Sequence, residues 1–493
     1  MTLVKEPVAL VGAPTPLAGR GLLAFGAGAF AYLFFFFVGD NLLKDSDSFW
    51  QIKVGQWILQ NYSVPHLDLY SFTRFHASWI STSWLSQVLY AAAFDLCGWA
   101  GPVILASLAI GAAIALFIMF LSARIDPARC FLVAMFVTLL SMDHLMARPH
   151  VLAMPVMVAW AAALIAAADR RAPPSFLWLP VMALWANLHG GFVLGLALVP
   201  AIALIAIWES AAEQRFNLAV RWAAFAVAAL AASCCTPYGW RTLQGAFGIL
   251  DLGRLLIVIW EWRPADFSSF SAFEAALLGL YGLAFYRGMV LSAPRIILLL
   301  SLVHVGLSHV RSVEVFAFLL PMVLARPFAE QIEANARSAG EATRLPRYIR
   351  KWAVLAVLVV TVASTVVYSR RHEFSFAQSH FPETAVDLLK KRGSKRIFNA
   401  YQFGGYLIAM GVPTFIDGRA ELYGEQFVLD YFDAIEGRKV DELLRLLDGF
   451  QIDATLLAPA SPAAQFLDHL NGWQRLYADD IAVIHIRRAN LAP

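Results

Sequence analysis

From residue 21 to residue 368 the chain is written in long apolar blocks separated by short polar breaks. Blocks such as LLAFGAGAFAYLFFFFVG show no alternation of apolar and polar positions. That excludes a membrane barrel, whose strands alternate every second residue. A helix satisfies its own backbone groups in hydrocarbon and crosses it with roughly 20 residues. The blocks predict eleven spanning helices, over 21–39, 102–122, 129–142, 150–168, 175–187, 190–208, 218–235, 271–287, 294–309, 312–325 and 352–368. Several are short and are expected to tilt or to pack inside a bundle. The polar stretch 40–101 is expected to be a large first outer loop.

The pattern changes after 369. KRIFNAYQFGGYLIAMGVPTFIDGRAELYG alternates short apolar runs with glycine turns. VDELLRLLDGF has helical spacing, and ATLLAP and DIAVIHIRR read as strands. Strands alternating with helices predict a small α/β domain. The organisation is therefore a multi-spanning domain over 1–368 and an α/β domain over 369–493. No internal repeat stands out.

Composition agrees. Of 493 residues, 59% are hydrophobic and 15% charged, against about 25% charged in a soluble domain. The mean hydropathy is +0.63. A net charge of +3 gives no field for nucleic acid, so none is expected as a partner. Cys97, Cys130, Cys234 and Cys235 form no metal spacing and no disulfide framework. The first apolar run is too long for a cleaved signal segment and reads as a retained span.

The basic residues orient the helices. With the N-terminus in the cytoplasm, alternate connections carry Arg124 and Arg129, Arg170 and Arg171, Arg215 and Arg221, and Arg287 and Arg295. The last carries Arg326, Arg337, Arg344, Arg347, Arg350 and Lys351. This is the positive-inside bias. It sends the C-terminal domain to the outer face.

The unusual polar residues then gather on that face: Asp45, Asp47, Asp143, His144, Arg148, His150, Asn187, His189, Tyr238, Glu261, His309, Arg311 and Glu314. Ionisable groups at membrane depth usually face a cavity or a partner. Asp47 or Asp45 has the chemistry of a general base toward an acceptor. Asp45 and Asp47 with Glu261 also form an oxygen set for a divalent cation, Mg2+ or Mn2+. Capping of the following helix is the plainer role, above all for Asp45. Phe49, Trp50, Ile52, Trp57 and Ile58 give that helix an apolar face suited to the membrane interface. Arg148, Arg311 and His189, with Asn187 and His144, are candidate partners for a phosphate. Snorkelling to headgroups is the competing role for the arginines.

Together these features resemble the GT-C class of membrane glycosyltransferases. The resemblance begins at SDSFWQIKVGQWI, an outer-loop aspartate followed by an aromatic-rich helix. More closely, the chain is similar to an uncharacterised bacterial multi-spanning family of this type. The similarity runs through WISTSWLSQVLY, ARPHV, LWANLHGGFVLGL, TPYGW, EWRPADF, SHVRSVEVF, NAYQFGGYLI and FIDGRAELYG. It covers nearly the whole chain. It implies a GT-C-like α-helical polytopic protein of the bacterial inner membrane with a periplasmic C-terminal domain. It implies transfer of a sugar from a polyprenyl-(di)phosphate carrier to a glycan, lipid or protein acceptor, with inversion. Asp47 would then be the activating carboxylate, with Asp45 the alternative. The C-terminal segment distantly resembles the oligosaccharyltransferase catalytic subunit, whose W-W-D-Y-G motif meets the acceptor peptide. Here Gln402 stands at the aspartate position and neither tryptophan is present. Gln402, Tyr406, Asp417 and Arg419 are the corresponding acceptor candidates. For Asp417 and Arg419 a charged turn is the alternative. Two other functions use the same polar face: transport or flipping of a lipid-linked or anionic substrate, and non-catalytic scaffolding.

Overall fold

A computed structural model describes residues 17–250, 253, 259–333, 347–376 and 381–488. Arg337 and Arg344 of the last basic connection lie outside the described residues. The bundle contains α1 (Leu17–Phe37), α2 (Asp47–Asn61), α3 (Trp84–Cys97), α4 (Ala100–Leu121), α5 (Pro127–Ser141), α6 (Pro149–Asp169) and α7 (Leu179–Leu188). It continues with α8 (Phe192–Trp208), α9 (Ala212–Ser233), α10 (Arg241–Leu250), α11 (Ala272–Arg287), α12 (Ala293–Ser308), α13 (Val313–Phe328) and α14 (Arg347–Ser369). Every one of the eleven apolar runs falls on a helix.

Among the described residues, six helical stretches are long and apolar enough to cross a membrane: Gly19–Phe37, Ala100–Leu121, Pro149–Asp169, Ala212–Ser233, Val310–Gln331 and Tyr348–Ser369. Phe176–Leu188, Phe192–Trp208, Ala272–Tyr286 and Ala293–Ser308 are apolar but shorter. Such helices fit a membrane-embedded protein. Helix α9 begins at Ala212 rather than 218, because the polar residues before the apolar run continue the helical hydrogen bonding.

Close packing sets the frame. A methyl group on Gly28 of α1 would stand 2.8 Å from the Gly111 carbonyl oxygen of α4, and one on Gly111 would stand 2.6 Å from that of Gly28. Only glycine lets the two backbones approach so far, the small-residue packing typical of membrane helices.

Helix α6 joins the two ends of the bundle. Its 21 residues span roughly 30 Å at about 1.5 Å per residue. Arg148 precedes its first turn. Asp169, its last residue, lies in an ion network at the far end. There Arg124 reaches Asp169 at 2.7 Å, and Arg295 reaches Glu209 at 2.7 Å and Asp169 at 3.5 Å. Arg326 donates to the Asp169 carbonyl. These groups tie together the ends of α6, α8 and α13, the start of α12 and the turn after α4.

The C-terminal domain holds a four-stranded sheet of β1 (Ile397–Asn399), β2 (Ala454–Leu457), β3 (Trp473–Ala478) and β4 (Val483–Arg487) in the order β1-β2-β4-β3. The β1–β2 pair is parallel and the others are antiparallel. Strands β1 and β2 are buried along their whole length, as strands covered on both faces are. Around them lie α15 (Glu383–Arg392), α16 (Gly404–Ala409), α17 (Ala420–Tyr423), α18 (Glu425–Ile435), α19 (Val440–Gly449) and α20 (Pro462–Leu467).

Helix α2 differs from the expectation of an interfacial helix. Its apolar face is covered by protein. Trp50, Val54 and Ile58 pack with Trp79 and with Ile408 of α16. Phe49 meets the rings of Phe376, Phe381 and Tyr406 at 4.5, 4.8 and 5.4 Å. The same period that suits a membrane surface suits a docked domain, and here the domain takes it.

Candidate functional site

The start of α2 carries the two aspartates. Asp45 Oδ1 accepts from the Asp47 N–H at 2.8 Å, so Asp45 stabilises the opening turn of the helix. Its Oδ2 lies 2.7 Å from Arg148 Nη1. Asp47 Oδ2 lies 2.6 Å from Arg148 Nη2. Glu261 also pairs with Arg148 Nη1. The position of Arg148 is set from both sides. Ser48 donates to the Ala147 carbonyl at 3.0 Å, and Tyr90 to the Arg148 carbonyl at 3.1 Å. Arg311 stands 3.9 Å from Glu261 and 4.4 Å from the Trp262 ring centre. Asp47, Arg148, Glu261 and Arg311 thus come from four distant parts of the chain to one end of the bundle. Their side chains keep 16%, 17%, 21% and 28% of their surface exposed, so the site is partly open.

Two expectations change. Arg148 was a phosphate candidate, yet its guanidinium is bound by three carboxylates and serves to gather them. The same three, Asp45, Asp47 and Glu261, were the divalent-cation candidates. The positive charge between them is already an arginine. Among the described residues, no three His, Cys, Asp or Glu groups form a metal site. The set does not fit Mg2+ or Mn2+.

The electrostatics separate the carboxylates. Burial pushes the Asp47 pKa up, Arg148 pulls it down, and the Asp45 and Glu261 charges raise it again, leaving it at about 7. Burial also raises Glu261, but the Arg148 and Arg311 charges overcome this and hold it at about 2. Arg148 loses to burial and gains more from Asp45, Glu261 and Asp47, which hold it well above the ordinary arginine value. Burial and its acidic neighbours thus push Asp47 toward neutrality, while the two arginines hold Glu261 in its charged form.

His189 lies beside Arg311 and His150; burial first, then these charges, push its pKa well below the ordinary histidine value. Its Nδ1 accepts from the Gly191 N–H at 3.0 Å, which leaves the proton on Nε2 as a donor. His150 Nε2 donates to the His144 carbonyl at 2.7 Å. His144 itself is buried. Asn187 is engaged within the fold. Its Oδ1 accepts from Trp84 at 2.8 Å, and its Nδ2 donates to the Ala183 and Cys235 carbonyls at 2.7 and 2.9 Å. Tyr238 is spent likewise, on the Pro65 carbonyl and the Ser81 N–H.

The acceptor candidates divide. Gln402 is exposed on the domain surface. Tyr406 is buried against Phe49 and Phe381 and holds the domain on α2. Asp417 and Arg419 have no exposed side-chain surface, and both are spent on an ion pair inside the fold. Arg419 binds Asp417 through Nε and Nη2 at 2.8 and 2.7 Å and Asp68 of the first loop at 2.6 Å. Tyr423 and Thr414 complete Asp417 at 2.7 and 3.0 Å. Ser71 completes Asp68 at 2.6 Å. Arg74 reaches the Tyr423 carbonyl and Thr73 the Phe415 carbonyl.

This lock brings a residue that sequence reasoning missed. Gly418 faces Asp47: a methyl group there would overlap Oδ1 and stand 2.9 Å from Cγ. Nearby, a methyl on Gly405 would overlap the Ser46 carbonyl. Tyr401 also faces the charges of Asp47, Asp417, Glu421 and Glu261.

A cavity of about 480 Å3 runs along α5, α11 and α13. Leu132, Phe136, Leu140, Ala276, Phe316 and Leu320 line it, with Arg129 toward the far end. Its other end, at Leu140 and Phe316, is within five residues of His144 and Arg311. No family model matches the chain, and no curated protein matches it.

Proposed function

We propose that the chain is a GT-C-like membrane glycosyltransferase. It moves a sugar from a polyprenyl-(di)phosphate carrier to an acceptor at the outer face of a bacterial inner membrane. All eleven apolar helices cross under this reading, and the C-terminal domain is periplasmic. The observation that carries it is the meeting of Asp47, Arg148, Glu261 and Arg311 in one partly open site close to the end of an apolar groove. The groove has the chemistry for the carrier's hydrocarbon tail. Arg311 and the Nε2–H of His189 are the donors left for the carrier phosphate.

The step balances with these groups. The acceptor hydroxyl oxygen attacks the anomeric carbon as Asp47 takes its proton. The bond from that carbon to the phosphate oxygen breaks on the opposite side. Its electron pair leaves with the phosphate, where Arg311 meets the developing charge. Attack opposite the leaving group inverts the anomeric centre.

A base with a pKa of about 7 works in its deprotonated form, so transfer rises with pH through that value. Below it, the rate is expected to fall about tenfold per pH unit. A pH–rate profile flat from pH 5 to pH 8 would contradict Asp47 as the base. The wider reading is tested by lipid analysis of a deletion strain. It predicts an accumulated polyprenyl-linked sugar and an under-glycosylated product. Unchanged lipid-linked sugars and unchanged glycans would defeat it.

A further inference from the structure

We propose that the C-terminal domain is a working part of the site: the Gly418 turn holds the Asp47 carboxylate on Arg148, and the Asp417–Arg419–Asp68 lock holds the turn. That Asp47 acts as a base rests on the function proposed above; its positioning does not.

Three observations converge on this. Gly418 packs on the carboxylate so closely that a single added methyl overlaps it. Its two chain neighbours, Asp417 and Arg419, are both fully buried and ion-paired. The pair is fixed to the first loop through Asp68, itself fully buried, at 2.6 Å. The turn therefore has little freedom to move without breaking a buried ion pair. Asp47 keeps 16% of its side-chain surface exposed. Arg148 takes Oδ2 on one side, and the glycine face backs the carboxylate on another.

Gly418 is a positioning residue, acting through Asp47. The charged and titratable groups facing Asp47 are Arg148, Asp45 and Glu261 from the bundle end, Arg311 before α13, and Tyr401 from the domain. The variants act on different parts of this surrounding. Gly418→Ala puts a methyl where Asp47 Oδ1 lies and 3.0 Å from Oδ2, so the carboxylate cannot keep its present 2.6 Å pairing with Arg148, the partner that favours its charged form. Asp68→Asn loosens the lock and lets water reach the carboxylate, removing the burial that favours its neutral form. The two changes shift proton affinity in opposite directions.

The test uses the full-length protein in detergent and an apolar carbodiimide, which reacts with protonated carboxyl groups. Labelling at Asp47 is quantified by mass spectrometry across pH. In the parent protein it is expected to halve near pH 7. In Gly418→Ala the midpoint rises by about one unit, and in Asp68→Asn it falls by about one unit. Gly449→Ala adds a methyl in the same domain with nothing within 4 Å and keeps the parent midpoint. Midpoints unmoved in both variants, or moved the same way in both, overturn the proposal. The readout needs no transfer activity. If the midpoints separate as expected while Asp47→Asn still transfers sugar, the positioning stands and Asp47 is not the base; if they separate while the parent protein transfers no sugar, the positioning stands and the glycosyltransferase reading falls.

Discussion

Asp47→Asn is expected to reduce transfer by roughly two to four orders of magnitude, the usual range for a lost general base. At about 1.4 kcal/mol per decade that is roughly 3 to 5 kcal/mol of barrier. The amide keeps the shape of the side chain and its contact with Gly418, but it does not take a proton. Arg148 retains Asp45 at 2.7 Å and its pair with Glu261, so protein level and melting temperature should hold. Asp45→Asn is expected to cost far less transfer. Its Oδ1 still accepts the Asp47 N–H, and only one of three charges on Arg148 is lost. Turnover is measured with purified protein and a polyprenyl-linked sugar extract. Full activity in Asp47→Asn would remove Asp47 from the chemistry, and an equal loss in Asp45→Asn would reverse the assignment.

The largest structural effect is expected from Arg419→Met. Methionine fills much of the volume between the Tyr70 and Trp79 rings, which lie 5.3 and 4.8 Å from the guanidinium. It leaves Asp68 and Asp417 buried with no cation. Breaking one partner out of a buried pair costs about 3 to 5 kcal/mol. The C-terminal domain should detach from the first loop while the bundle persists. Limited proteolysis in detergent would read this as rapid cleavage in the segment before β1, with the helices protected. Arg419→Lys should rescue only in part, because an ammonium does not reproduce the two-point contact with Asp417. Parent-like protease resistance in Arg419→Met would show that the aromatic and backbone contacts alone hold the domain.

The helices were legible because an apolar run is a local property. The runs located α1, α4, α6 and α14 without knowledge of their neighbours. The strands β2 and β4 were legible for the same reason. The polar span ends were visible as unusual, but not their division of labour. Asn187 and Arg148 carry the same signal in sequence, a polar residue at the edge of an apolar run. One is consumed by Trp84 and two carbonyls, and the other gathers three carboxylates. That difference depends on partners as far away as Glu261, which no spacing encodes. HLDLYSF gave no sign that Asp68 would meet Arg419 across 351 positions. Gly418 was hidden for a further reason. Its contribution is an absent side chain, and IDGRAELYG reads as a turn whether or not a carboxylate lies against it.

The lock between Asp68 and Arg419 also fixes when the site is finished. The ribosome delivers Asp47 early, Arg148 and Glu261 later, and the covering turn only near the end of synthesis. A chain interrupted before residue 418 still contains every bundle helix, yet its aspartate lacks the last wall. Incomplete copies would thus lack the wall behind Asp47, which only translation through residue 418 supplies.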